Sequence, residues 1–315
     1  MTRRGWALFA AMCLVWGVPY LLIKVAVDAG LAAPVVVAGR CLVGAVLLLP
    51  FGLRREPVRL LLRHWRALVA YSALELAGPW LMLTDAETRI SSSLAALLLA
   101  ATPVVAAVAT TLLGDERLGR RRVGGLVLGA VGVAALVGID LGSVDARAVV
   151  EVLLTATGYA LGPMVVARRL RGVPTMTVIV ASLLLTGLLY LPLALAQRPA
   201  HLPAHAVEAV LALGVVCTAL AFVLFFALIA EVGAARAPVI TYVNPAVALV
   251  LGVVLLDEPL TLGICLGFPL VVLGSVLATS RSAPRGDGAA AAPEPAAEGA
   301  AAPGVPGAAT RDVPA

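Results

Sequence analysis

The sequence predicts an all-α integral membrane protein of ten transmembrane helices arranged as two inverted five-helix repeats. Three observations carry that expectation. The chain of 315 residues is 61% hydrophobic and only 13% charged, with a mean hydropathy of +1.03, too little polar surface to coat a water-soluble globule of this size. The apolar residues gather into continuous runs of about 20 residues, enough for a helix to cross roughly 30 Å of hydrocarbon. The segment 95–132 returns as 237–274, at a constant offset of 142 residues (from 95 to 237).

In that repeat Pro103 falls on Pro245, Asp115-Glu116 on Asp257-Glu258, Leu118 on Leu260, Gly125 on Gly267 and Gly132 on Gly274. Matches of Ala, Val and Leu are cheap in so apolar a chain, so the Pro, acidic and Gly coincidences carry the argument. Each copy is an apolar run with a central Pro, an acidic turn and a second run studded with Gly: a helical hairpin, found twice.

Taken in order, the spans are 5–24, 33–52, 65–83, 91–113, 122–139, 148–167, 175–196, 207–230, 235–256 and 262–279. The runs are continuous rather than alternating, which excludes a barrel, and an isolated span must satisfy its own backbone as a helix. The repeats occupy 1–140 and 141–280, and 281–315 reads as a disordered cytoplasmic tail rich in Ala, Pro and Gly. Arg3-Arg4 followed by an apolar run has the form of a signal peptide, yet its removal would leave the first repeat one helix short.

Lys and Arg set the orientation. With the N-terminus cytoplasmic, 18 of the 23 basic residues fall in inside segments, leaving Lys24, Arg89, Arg147 and Arg198 outside and Arg40 within the second span. Both termini are therefore expected in the cytoplasm, with the protein in the inner or plasma membrane. Five helices per copy, an odd number, force the second copy to enter the bilayer upside down. The charges agree: Arg120-Arg121-Arg122 follows the first acidic turn, and Leu262-Gly263-Ile264 stands at the matching outside position of the second copy.

The formal charge of +5 resides in short loops and forms no basic domain, so nucleic acid is not an expected partner; the lipid bilayer is. The four Cys lie in apolar runs without ligand spacing and read as small packing residues. His201 and His205 are four apart, but Pro203 between them argues for an ordinary loop, and no metal or cofactor is expected. No Gly-rich phosphate loop occurs, which excludes an ATP-hydrolysing engine within the chain.

Polar residues inside the spans are the candidates for function. Trp16, Tyr20 and Lys24 share one helix face, and Lys24 is the only lysine; it either lines a cavity or snorkels outward. Glu75 lies about nine residues from either end of its span, a depth at which a charge costs a few kcal/mol unless it finds a partner, a proton or water. Arg40 enters the neighbouring span to a similar depth. Two readings stay open: Glu75 is a proton-coupling carboxylate, or it is locked to Arg40 in an ion pair. Pro103 and Pro245 are expected to kink their helices and free a carbonyl one turn earlier, with Thr102, Thr241, Tyr242 and Asn244 beside the kinks. Trp80 and Tyr159 are further cavity candidates. Asp115-Glu116 and Asp257-Glu258 read as N-caps of the helices that follow them. Gly125 with Gly129 and Gly263 with Gly267 form small-xxx-small pairs, suited either to packing of the fifth helix on the tenth or to a homodimer.

Inverted repeats around a midplane site are the architecture of alternating-access transporters. Trp16-Gly17 with Lys24, the Pro of each fourth helix, the Leu113-Gly114-Asp115-Glu116 and Leu255-Leu256-Asp257-Glu258 turns and the Gly-rich helix after each resemble the EamA-type transporters of the drug/metabolite transporter superfamily, over about residues 5–280. The resemblance implies ten helices and passage of small metabolites, such as amino acids, their derivatives or drugs, mostly outward. Glu75 departs from the neutral residues often found in the family's third helix, so no coupling mode carries over. The expected activity is therefore secondary transport, with a non-coupled facilitator as the alternative within the class. A membrane-embedded enzyme or scaffold is the alternative outside it. Against an enzyme stands the lack of a dense polar cluster within the spans.

Overall fold

The computed structural model describes residues 1–52, 55–112, 119–138, 145–233 and 237–279, and among them all regular structure is helical. Among the described residues nine helices are long and apolar enough to cross a membrane: α1 (Arg3–Asp28), α2 (Ala33–Gly52), α3 (Trp65–Ala86), α4 (Ser92–Leu112), α5 (Arg120–Gly138), α6 (Ala146–Arg169), α7 (Thr175–Ala196), α8 (Ala204–Val232) and α10 (Leu262–Thr279). Between the last two lies the shorter apolar helix α9 (Val239–Leu255). The expected runs thus recur as helices, with one falling short of the full spanning length. The expected spans are exceeded most at α1, which runs 26 residues, Arg3–Asp28, where 5–24 is expected.

Side chains start the helices where their backbone N–H groups would otherwise be unpaired. Thr2 Oγ1 accepts from Gly5 N at 2.9 Å, Ser91 Oγ from Leu94 N at 3.2 Å, Asp145 Oδ1 from Ala148 N at 2.9 Å and Thr261 Oγ1 from Ile264 N at 3.2 Å. Apolar side chains such as Val127, Leu188, Leu189, Val250 and Val254 remain exposed along the outer faces. That distribution suits a hydrocarbon solvent. A short helix over Arg55–Arg63, absent from the sequence reading, precedes α3 and buries Leu61.

Packing is regular. α1 lies against α8 and α9, and α6 against α3 and α4; α2 packs on α7, α4 on α9 and α5 on α10. Renumbering each helix of the first five as its partner five places on leaves this set of pairs unchanged. The π-helical turns follow the same rule, since Ala73–Ala77 in α3 and Val215–Leu220 in α8 begin 142 residues apart (from 73 to 215). The α5–α10 contact is close: a Cβ on Gly132 would come 2.6 Å from Val271 N, and one on Gly267 would come 2.8 Å from Leu136 N. Gly125 and Gly267 therefore serve packing of these two helices within the chain, while a Cβ on Gly129 would meet Val104 of α4.

The prolines act differently from the expected mid-helix kinks. α4 is interrupted at 100–101 and Pro103 sits in the first turn of its second half, Thr102–Leu112; Pro245 likewise opens Asn244–Leu255 after a 3-10 turn over Ala237–Tyr242. At the α4 break the carbonyls are taken up by protein hydroxyls. Thr102 Oγ1 donates to Leu99 O at 2.7 Å and Ser275 Oγ of α10 donates to Ala100 O at 2.9 Å. The expectations for the Asp115-Glu116 turn, the loop at Asp140 and the 281–315 tail fall outside the described residues.

Candidate functional site

A polar cluster in the interior of the bundle is built around Arg40. Its side chain is buried, Nε donates to Thr218 Oγ1 at 3.0 Å, and its guanidinium lies 3.7 Å from the centre of the Trp80 ring. A guanidinium over an indole face is held by cation–π attraction, which strengthens out of water. Thr218 passes its own proton to Leu213 O at 2.8 Å, a five-residue reach that the π turn of α8 creates. Arg40 thus connects α2 to α3 and α8. Tyr159 of α6 bonds Trp80, and Tyr20 of α1 lies within electrostatic reach of both Tyr159 and Arg40. Three residues predicted from sequence, Arg40, Trp80 and Tyr159, therefore meet, with Tyr20 nearby.

Glu75 is a neighbour of this cluster but not a partner of Arg40. Its Oε2 is buried against Gly162 of α6 with no hydrogen-bond partner, while Arg40 is engaged by Thr218 and Trp80. The Arg40–Glu75 ion pair entertained from depth alone is therefore absent here. Depth along a helix fixes height in the bundle, not the face on which a side chain lies, and the π turn holding Glu75 rotates it toward α6.

The other candidates lie elsewhere. Trp16 packs edge-on to Phe222, 6.4 Å between ring centres, and against Phe225 at 4.8 Å. Asn244 is buried with Oδ1 unpartnered, and its carbonyl lies close to Gly17 of α1. Tyr242 OH meets Thr279 Oγ1 at 2.7 Å, and Thr241 is exposed. Lys24 Nζ donates to Glu87 O at 2.9 Å and pairs with Asp28 Oδ1 at 3.0 Å, so it is tied to the α3–α4 turn.

The acidic turn of the second copy corrects the sequence reading. Glu258 caps no part of α10, where Thr261 does that work; its carboxylate reaches the head of α4. Oε1 accepts from Ser92 N at 2.7 Å and Oε2 from Ser93 N at 2.9 Å, with Ser93 Oγ also donating to Oε2. Asp257 takes φ of 53°, in the left-handed region that Asp tolerates, and turns the chain to make this reach. A negative charge at a helix N-terminus is favoured by both its unpaired N–H groups and the helix dipole.

The two ends of the bundle contrast. Where α3 ends and α6 begins, Arg89 pairs with Asp85 at 2.9 Å, Asp145 at 3.6 Å and Glu151, while Arg147 adds Asp85 at 3.3 Å and Glu151 at 2.9 Å. Where α3 begins and α6 ends, a cavity of about 620 Å3 opens, lined by Arg63, His64, Trp65, Arg66, Val165 and Arg169 among others. Sequence reasoning missed Thr218, Glu87 and the long reach of Glu258. No pattern at short range identifies them, because each acts on a helix far away in the chain.

The EamA-like transporter family model matches residues 3–138 and again residues 146–280. A protein of Bacillus subtilis (strain 168) described as the uncharacterized transporter YvbV is 25% identical over 280 residues, covering 87% of this chain and 91% of its own. A protein of known crystal structure is similar over 89% of this chain and 97% of its own, with a TM-score of 0.62 and 21% identity, which shows a shared fold.

Proposed function

Because the chain belongs to the EamA-like transporter family, we propose that it is a secondary transporter exporting small metabolites, amino acids or related compounds, by alternating access. In this reading it is no enzyme, and ten helices form two inverted repeats, 1–140 and 141–280, with α9 as the short tenth member. The observation that carries it is the packing pattern: the contacts of α1 with α8 and α9 return as those of α6 with α3 and α4, and the main contacts of α1, α2, α4 and α5 cross between the halves. Two halves so interleaved form one body around a passage, and Tyr20, Arg40, Trp80 and Tyr159 give that passage a polar stretch.

The cytoplasmic end is the one bearing Arg63, Arg66 and Arg169, in keeping with the bias of basic residues, and both termini lie on that side. In this state the other end is closed by the Arg89 and Arg147 ion pairs, while the basic cavity faces the cytoplasm. An inward-open exporter would receive its substrate there. The test is flux of an amino-acid panel in vesicles containing the purified protein, with and without a pH gradient. Flux in wild type that falls at least tenfold in Arg40→Met, with unchanged folding, supports the reading; no flux of any panel member in wild type overturns the substrate class.

A further inference from the structure

Glu87, the first residue past α3, is wholly buried, and neither carboxylate oxygen has a hydrogen-bond partner among the described residues. Such a carboxylate is costly to hold as an ion without direct partners. The groups that face it are Tyr20, Lys24 and Asp28 of α1, Arg40 of α2 and Glu258 before α10. Of the two cations, Arg40 is engaged by Thr218 and Trp80, and Lys24 binds the main-chain oxygen of Glu87 rather than its carboxylate. Glu258 adds negative charge while its own oxygens are filled by the head of α4.

We propose that Glu87 is a proton-carrying site, loaded in this conformation, whose discharge is coupled to movement of Lys24. The proton forms one carboxyl O–H bond on Glu87 and returns to water when that bond breaks. Burial drives the Glu87 carboxyl well above the ordinary carboxylate range, with Glu258 and Asp28 pushing the same way and Lys24 and Arg40 opposing. Lys24 already spans the choice, since its ammonium touches both Glu87 O and the half-exposed Asp28. Loss of the proton would draw Lys24 from Asp28 to the bare carboxylate, pulling the end of α1 toward the α3–α4 turn. Glu75 lies elsewhere, against α6. The coupling half of this proposal rests on the transport reading; the proton site itself does not.

Two measurements on the full chain test it. Infrared difference spectra of purified protein through a pH titration are expected to contain a protonated-carboxyl stretch near neutral pH that persists in Glu75→Gln and is lost from that variant when Glu87→Gln is added, with its titration moved to higher pH in Lys24→Met. A spectrum unchanged by Glu87→Gln, or a titration unmoved by Lys24→Met, overturns the site; the second comparison stands even where Glu87→Gln does not fold. In vesicles, Glu87→Gln is expected to retain amino-acid exchange without a gradient and to lose its acceleration by a pH gradient. Retained acceleration overturns the coupling. Absence of flux in wild type would sink the substrate class, while the spectra still decide the proton site.

Discussion

At the scale of single residues, Glu258 and Glu87 are carboxylates with opposite fates. Glu258 is surrounded by donors and caps the head of α4, so Glu258→Gln is expected to lower stability by about 1–3 kcal/mol, the usual cost of losing hydrogen bonds to a buried helix head. Thermal melting in detergent measures it, and a melting point equal to wild type would refute the cap. Glu87 works in the other sense. Its folded-state pKa is raised above the unfolded value, so the folded chain holds the extra proton, and stability is full below the ordinary carboxylate range and falls as pH climbs toward the raised value. Glu87→Gln should flatten that slope of melting temperature against pH. Sequence could find Glu75 and Arg40 because charges inside apolar runs stand out, but depth alone left open whether Glu75 pairs with Arg40 or carries a proton. Which face of a helix each occupies depends on a π turn, and no local residue pattern announces one.

At the scale of helices, the Gly-lined contact of α5 with α10 brings two backbones close together. Gly132→Val is expected to force these backbones apart and destabilise by about 1–3 kcal/mol, whereas Gly124→Ala, where an added Cβ meets nothing within 4 Å, should be neutral. Equal melting temperatures for the two variants would contradict the packing. A second test lies at the α4 break: Ser275→Ala leaves Ala100 O unpaired in the interior and should cost about 1–3 kcal/mol. The helices themselves were readable, since hydropathy and length suffice to locate a span. Their irregularities were less so. The prolines stand in the first turns after the breaks of α4 and α9 rather than at mid-helix kinks, and while Thr102 of α4 serves Leu99 O, the donor to Ala100 O comes from α10, 175 residues away in sequence.

At the scale of the whole molecule, the repeat at an offset of 142 residues was visible because Pro, Gly and acidic residues are rare enough in this composition for their coincidence to mean something. Its consequence, α1–α5 interleaved with α6–α10, required the fold. The proposed topology predicts that, in a chain with Cys13, Cys41, Cys217 and Cys265 replaced by Ala, His64→Cys and Arg198→Cys react with a membrane-impermeant thiol reagent from opposite faces of the bilayer. Labelling from the same face would remove the inverted relation. The reach of Glu258 also bears on biogenesis. The head of α4 is closed by a carboxylate 165 residues further on, so a ribosome delivering helices in order must leave that early segment provisionally seated until nearly the last pair arrives. A stop codon late in the message would then injure a helix made long before it.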